Sequence, residues 1–193
     1  HAAPLTGPHT MGIFAAYDKR PSVNTTCYVA ETAAVIGDVR LSAGCGVWPH
    51  AVLHADSQPI AVGEHSRIGE GAVIHNECDT PVRIGRGVLI DSGAVLQGCV
   101  IGDGSRVGVR AVVFGGAVIG RHCIVADGTL VPQGATFPDG TLIAGLPAQA
   151  VRALTGDEMA SLDQNATHQR DEADARRRQL TGSMIQQAFQ QLC

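Results

Sequence analysis

The fold of this chain is decided by the stretch from residue 101 to residue 131, which reads IGDGSRVGVRAVVFGGAVIGRHCIVADGTLV. An aliphatic side chain recurs there at every sixth position: Ile101, Val107, Val113, Ile119, Val125 and Val131. A six-residue period fits neither the two-residue alternation of an ordinary strand nor a helical stripe. It is typical of a solenoid in which each hexapeptide is one short flat side, three sides make a turn, and one aliphatic side chain per side points inward.

The same period runs through the earlier part of the chain. It covers Val29, Val35, Leu41, Val47 and Leu53, then Val62, Ile68 and Ile74, then Ile84, Ile90 and Leu96. The next residue is often Gly, as at Gly63 and Gly102, which suits a tight corner. We predict an all-β solenoid over residues 25–148, with an N-terminal extension (1–24) and a C-terminal helical extension (149–193).

Two segments interrupt the period. Residues 56–59 (DSQP) follow Leu53, and residues 76–82 follow Ile74 and contain a turn signal at 79–81 (DTP). Loops that leave a rigid scaffold usually lie on one edge and often carry function. Both segments are therefore candidates for a functional edge.

Composition excludes some classes of partner. The net charge is −4, and the only basic run is Arg176–Arg178, so we predict no nucleic-acid partner. Aromatic residues make up 4% of the chain, which suits a core too narrow for rings. The six Cys form no C-x-x-C pair, and we predict buried thiols in a reducing compartment rather than disulfides.

The C-terminal extension has helix signals. Thr155 and Glu158 have the spacing of a capping box. An apolar stripe that we expect to cover the outside of the solenoid follows at Met159, Leu162 and Ala166. We expect Gly182 to break the helix, and a second short helix to carry Met184, Ile185, Ala188, Phe189 and Leu192. This second helix would dock either on a partner or on the chain's own repeat, and the sequence leaves both alternatives open.

Several segments resemble the γ-class carbonic anhydrases. They are VIGDVRL (35–41), GVWPHAVL (46–53), GAVLQGC (93–99) and the exit GLPA (145–148), and the likeness extends over residues 13–170. The resemblance implies a left-handed parallel β-helix that forms trimers. It also implies a zinc ion held by three His at each interface between subunits, where a metal-bound hydroxide attacks carbon dioxide.

The resemblance also implies where the zinc ligands of that family would lie. Carried onto this chain one by one, the three positions fall on His75, Ser92 and Gln97. Only the first is an imidazole, and a hydroxyl and a neutral amide are poor zinc ligands by comparison. We therefore predict vestigial metal positions, with no metal site intact in this chain.

The supporting positions are altered as well. They fall on Asp56, which is kept, on Gly69, where the family has a Gln that orients the hydroxide, and on Glu70. We predict that these positions are degenerate and that the chain has no catalytic residue. We also predict that this chain binds no cofactor and that zinc occurs only at an interface between intact sibling chains.

These losses lead to a structural hypothesis. The chain is predicted to be a non-catalytic assembly subunit of a γ-carbonic-anhydrase-like heterotrimer attached to mitochondrial respiratory complex I, and not an enzyme. Its partners would be two sibling chains of the family and membrane-arm subunits of complex I, on the matrix side of the inner membrane. The entry at Tyr17–Pro21 and the exit helix at Leu154–Glu158 and Asp163–Thr167 resemble those subunits.

Three alternatives remain open at the level of sequence. The first is a divergent zinc carbonic anhydrase, and the second a hexapeptide acyltransferase, each acting as a soluble trimer in the bacterial cytoplasm. The third is a soluble bacterial homotrimer with a binding role. An acyltransferase needs a positioned His base, and His54, His65 and His122 are candidates that no motif separates.

Overall fold

A computed structural model of the chain describes residues 12–16, 18–76 and 80–191, with the backbone alone for residues 181–191. Within these residues twenty short strands precede one helix, α1 (Gly156–Gln191). The strands are β1 (Gly12–Phe14), β2 (Ser22–Val23), β3 (Tyr28–Val29), β4 (Ala34–Leu41), β5 (Gly46–Val47), β6 (Val52–Val62), β7 (Arg67–Ile68), β8 (Val73–His75), β9 (Val82–Ile84), β10 (Leu89–Ile90), β11 (Val95–Gln97), β12 (Val100–Ile101), β13 (Arg106–Val107), β14 (Val112–Val113), β15 (Val118–Ile119), β16 (Ile124–Val125), β17 (Leu130–Val131), β18 (Thr136–Phe137), β19 (Thr141–Gly145) and β20 (Ala148–Ala153).

These strands form a left-handed parallel β-helix of about seven turns. The first side stacks β4, β6, β8, β11, β14 and β17; the second stacks the far halves of β4 and β6 with β9, β12, β15 and β18; the third stacks β3, β5, β7, β10, β13, β16 and β19. Strands β4 and β6 continue around the corner and so join the first two sides into one sheet. β1 and β2 extend this sheet by pairing with β4, and β20 closes the third side by pairing antiparallel with β19.

Each side contributes one inward column of aliphatic side chains. Every periodic position named above is at most 4% exposed, so the predicted core is confirmed. On the third side, for example, Val47 pairs with Ile68, Ile68 with Ile90, and Ile90 with Val107. Because the pairing is in register, each side chain contacts its equivalents one turn above and below, about 4.8 Å away.

Three histidines serve as corner residues. His50, His65 and His122 have φ values of 62°, 58° and 48°, in the left-handed region that tight corners use. The rings of His65 and His122 lie over Gly44 and Gly104 of the preceding turn, where a Cβ would collide with them. These imidazoles are thus built into the turns of the solenoid.

A polar column fills the corner before the third side. It consists of Cys27, Cys45, Ser66, Ser105, Cys123 and Thr141, with the apolar Val88 as the one exception at this position; Thr141 begins β19, and each of the others directly precedes its strand. Ser105 is representative: its hydroxyl donates to the carbonyl of Gly120 (2.7 Å) and accepts from the amide of Cys123 (2.9 Å). Thiols replace hydroxyls elsewhere in the column, as Cys45 donates to the carbonyl of Gly63 (3.1 Å).

The described cysteines are free thiols. Cys45, Cys99 and Cys123 are buried, as predicted, whereas Cys27 is only half-buried. The other two, Cys78 and Cys193, lie outside the described residues.

The first interruption of the period is a bulge rather than a loop that leaves the scaffold. Strand β6 runs unbroken through it. Gly37 pairs with Ala55 and Val39 pairs with Ile60, so residues 56–59 have no counterpart in β4 beyond the single residue Asp38. The second interruption lies partly outside the described residues, at 77–79.

Within the described residues, the C-terminal extension contains the end of β20 and then a single helix, contrary to the prediction of two. α1 continues through Gly182, because a lone Gly weakens a helix without ending it. The capping box is confirmed: Thr155 Oγ1 accepts from the Glu158 amide (3.2 Å), and Glu158 accepts from the Thr155 amide (2.9 Å). The hydrogen bond from Arg152, and then that from Thr155, lowers the pKa of Glu158 to about 2.

α1 packs against β3, β5 and β7. Leu162 and Ala173 are buried. A Cβ on Gly46 would lie 3.2 Å from the Ala173 methyl, so the absence of a side chain at Gly46 lets α1 pack closely there. Ala166 is half-buried. Met159 is 37% exposed, so it does not belong to the buried stripe in which it was predicted. Within the described residues, no helix is long and apolar enough to cross a membrane. The apolar residues of the predicted second helix lie beyond residue 181, where the structure describes no side chains.

We predict that Ile119→Asp destabilises the fold by about 3–5 kcal/mol, because it places an unpaired charge in the stack. Ile119 is 1% exposed, whereas its strand neighbour Val118 is 37% exposed and faces outward. Val118→Asp is therefore the matched control and should change stability little. Thermal unfolding followed by circular dichroism measures both, and equal losses would contradict the inward and outward assignment.

We predict that Ser105→Ala costs about 1–3 kcal/mol, since it leaves a buried N–H and a buried carbonyl without partners. Ser105→Cys should cost less, because Cys already fills this column at other turns. Urea unfolding of the two variants is the measurement. Equal stability of Ser105→Ala and the parent protein would show that the polar column does not contribute.

Candidate active site

Two histidines and a glutamine lie in register at one corner of the solenoid. His54 of β6 pairs with His75 of β8, and His75 pairs with Gln97 of β11. All three occupy the outward-facing position at the end of the first side, next to the bulge at 56–59. We call His54, His75 and Gln97 the site column.

Asp56 holds the His54 imidazole. The distance from Asp56 Oδ1 to His54 Nε2 is 2.7 Å, and both side chains are nearly half exposed. An ionised carboxylate can only accept, so Nε2 carries the proton and Nδ1 keeps its lone pair. An imidazole that a carboxylate orients in this way is arranged to act as a general base.

His75 has a different orienting partner. Its Nδ1 lies 3.3 Å from the backbone carbonyl of Asn76. Because a carbonyl only accepts, this contact assigns the proton to Nδ1 and leaves Nε2 basic. The two imidazoles therefore present different nitrogens on adjacent turns.

Ser92, a predicted ligand position, lies at the opposite edge of the first side from Gln97. It is in the turn between β10 and β11, where its hydroxyl donates to Glu70 Oε2 (2.8 Å). Arg67 Nη2 donates to the same oxygen (3.0 Å). Partial burial alone would raise the pKa of Glu70, but its own backbone N–H, Ser92 and Arg67 outweigh burial and lower it. Glu70 is thus an ionised, satisfied acceptor and a weak base.

A chain of ion pairs continues from this edge. Arg106 Nε donates to Asp91 Oδ2 (2.6 Å), and Arg67 Nη1 lies 4.0 Å from Asp91 Oδ1. The Arg67 guanidinium also lies 4.9 Å from the centroid of Trp48. These groups tie successive turns to one another next to the strands on which α1 packs. We assign them a structural role.

The residues present do not fit the three-imidazole zinc site that the resemblance implies. Ser92 bonds to Glu70, Gln97 offers an amide, and a Cβ on Gly69 would lie 2.7 Å from the Ile90 carbonyl oxygen, so no side chain fits there. Among the described residues, no group of three or more His, Cys, Asp or Glu is placed to hold a metal ion. That the metal positions are vestigial stays a prediction.

The structure separates the three candidate bases. His65 and His122 are corner residues; His65 has a buried Nδ1 without a hydrogen-bond partner, and His122 Nε2 is 3.8 Å from Asp163. Only His54, of these three, has a carboxylate at hydrogen-bond distance. The signal in the sequence was His-x-Asp, which puts two side chains on one face of a strand. The contacts of the Asn76 side chain with the Asp56 amide and the Gln58 carbonyl had no such signal.

Comparisons with known proteins identify bacterial relatives. The carnitine operon protein CaiE of Escherichia fergusonii is 37% identical over 149 residues, which cover 77% of this chain and 76% of that protein. A hexapeptide transferase family protein from Anaplasma phagocytophilum superposes with a TM-score of 0.82 at 29% identity, covering 86% of this chain and 98% of that one. No family model matches the chain.

A third similarity shows the fold alone. The N-acyltransferase AntD of Bacillus cereus, solved as a point mutant with an amino-sugar nucleotide and coenzyme A, has a TM-score of 0.62 at 13% identity. The superposition covers 75% of this chain and 89% of AntD.

These findings correct the functional hypothesis. The prediction that the chain is not an enzyme is wrong, because the similar Anaplasma phagocytophilum structure is that of a hexapeptide transferase family protein. The physical reason is that lost zinc ligands bear on zinc chemistry alone, whereas transfer chemistry that relies on a positioned base needs no metal. Nothing supports complex I partners or a mitochondrial location, since the relatives are bacterial. The chain belongs to the hexapeptide-repeat family of left-handed β-helix proteins that includes the bacterial carnitine operon protein CaiE.

Proposed function

We propose that this chain is an acyltransferase of the hexapeptide-repeat family, acting as a trimer in the bacterial cytoplasm, with His54 as its general base. The observation that carries the proposal is the 2.7 Å contact between His54 and Asp56 on an exposed corner. The transferase among its structural relatives supports the reaction class. The acyl donor would be a thioester, and the acceptor a primary amine or a hydroxyl.

The proposed reaction uses both members of the pair. His54 Nδ1 removes a proton from the acceptor as the acceptor nitrogen or oxygen attacks the thioester carbonyl carbon. The imidazolium that forms is stabilised by the Asp56 carboxylate on Nε2. When the tetrahedral intermediate collapses, the carbon–sulfur bond breaks and the proton on His54 passes to the leaving thiolate. The acyl group ends on the acceptor and the base is restored.

Apolar side chains next to His54 suit the acyl chain. Ile36 pairs with His54 one turn towards the N-terminus, and Phe14 pairs with Ile36 one turn further. Phe14 is 54% exposed, so one of the few aromatic side chains of this chain lies at the surface. An acyl chain lying along these strands would place its carbonyl carbon near the base.

The outer face of the first side supports the trimer. A second outward column there is apolar and in register, made of Ala34, Val52, Val73, Val95, Val112 and Leu130. The corresponding column of the second side includes Arg40 and Arg83. Burial of the apolar column between copies would put the site column at the margin of the interface, where a substrate groove could be shared.

We predict that His54→Gln lowers kcat for thioester-dependent acyl transfer about 100-fold or more, the contribution of a general base. Release of free thiol from short-chain acyl thioesters, with a panel of amine and hydroxyl acceptors, is the measurement. His168→Gln is the matched control, since His168 lies on the exposed face of α1, and it should retain full activity. Absence of acyl transfer by the parent protein across the panel would overturn the proposal, as would full activity of His54→Gln.

We predict that Val95→Glu converts the trimer to monomer, because it would bury a carboxylate in the apolar column between copies. Val118→Glu on the second side is the control and should leave the trimer intact. Light scattering after size exclusion gives the mass of each variant. A Val95→Glu protein that stays trimeric would place the interface on another face.

A further inference from the structure

We propose that Asn76 is a positioning residue for the His54–Asp56 pair, acting by clamping the bulge at residues 56–59. This inference rests on the proposed function for its catalytic consequence. The clamp itself is a matter of geometry and has its own test.

The bulge leaves main-chain groups that the neighbouring turn must satisfy. Strands β6 and β8 pair as far as His54 and His75, and the regular ladder stops there. From this point the side chain of Asn76 takes the place of the missing backbone partners. Its Oδ1 accepts from the amide of Asp56 (3.1 Å), and its Nδ2 donates to the carbonyl of Gln58 (2.5 Å).

The clamp holds both ends of the bulge. Asn76 Nδ2 also lies 3.4 Å from Ser57 Oγ, and Lys19 Nζ lies 3.5 Å from the Ser57 carbonyl oxygen. The strongest of these contacts therefore come from one amide group that accepts on the Asp56 side and donates on the Gln58 side. An amide side chain carries its acceptor and its donor on two separate atoms, so it can bridge two main-chain groups, and Asn is the shorter of the two amide side chains.

Fixing the Asp56 backbone fixes its carboxylate. Asp56 is nearly half exposed, and the clamp holds its backbone amide. If the bulge moved, Asp56 would leave His54 Nε2, and the neutral imidazole would populate both tautomers. The Nδ1 lone pair would then be available for only part of the time and in a less defined direction. A displacement of about 1 Å in a catalytic group can cost on the order of 100-fold in rate.

The test compares Asn76→Ala with a matched control. Asn24 pins a turn elsewhere on the solenoid, where its Oδ1 accepts from the Thr26 amide (3.0 Å) and hydroxyl (2.8 Å). Asn24→Ala thus removes a similar amide clamp away from the site. The readout is the pair of imidazole ¹⁵N shifts of His54 in the full-length protein above pH 8, assigned by comparison with His54→Gln. Asp56→Ala supplies the reference for an unheld imidazole.

The tautomer result decides the clamp. We expect the His54 nitrogen shifts of Asn76→Ala to move towards those of Asp56→Ala, and those of Asn24→Ala to match the parent protein. Asn76→Asp keeps the acceptor but cannot donate to Gln58, so it should give an intermediate position; it also serves if Asn76→Ala does not fold. Parent-like shifts in both Asn76 variants, while Asp56→Ala differs, would overturn the inference.

Kinetics separate this inference from the proposed function. We expect Asn76→Ala to lower kcat about 10-fold to 100-fold with KM changed less than about 2-fold, because the clamp acts on the base and not on substrate contacts. If the parent protein transfers no acyl group, the proposed function fails, and the nitrogen shifts still decide whether Asn76 holds the pair. A larger change in KM than in kcat would contradict a positioning role.

Discussion

The structure depends on the in-register stacking of one aliphatic side chain per flat side. Each inward residue, such as Ile68 or Ile90, is fully buried because its neighbours one turn above and below have side chains of similar shape at the same position. Stability of such a stack is close to a sum of nearest-neighbour contacts, so any turn must match only the two beside it. This leaves outward positions free to vary without loss of the core.

That freedom explains how chemistry is placed on the scaffold. A residue that faces outward on one turn automatically meets its counterparts on the next, as His54 meets His75 and His75 meets Gln97. The bulge at 56–59 then adds a carboxylate that a regular hexapeptide could not supply at that place. The rigid column fixes the imidazole, and the irregular segment brings Asp56 to it.

Histidine has two unrelated uses in this chain. His50, His65 and His122 adopt left-handed backbone angles at corners, where other turns have Gly. His54 and His75 lie on strands and present their rings to solvent. The same residue type therefore serves backbone geometry in one place and potential proton transfer in the other. The loss of imidazoles at Ser92 and Gln97 bears on a metal site and not on this pair.

The sequence by itself determined the solenoid, its three sides and its core, because aliphatic residues that recur at every sixth position within each run are all buried when each hexapeptide forms one flat side. It also determined the start of α1, since the Thr155–Glu158 capping box is a local hydrogen-bond pattern. The continuity of α1 through Gly182 depended on the helix as a whole. Only the tertiary structure decided that residues 56–59 stay within β6, that Asp56 lies on His54, and that Asn76 spans the bulge. These contacts join different turns across an irregular step, and no periodicity in the chain encodes where an irregular step will place its side chains.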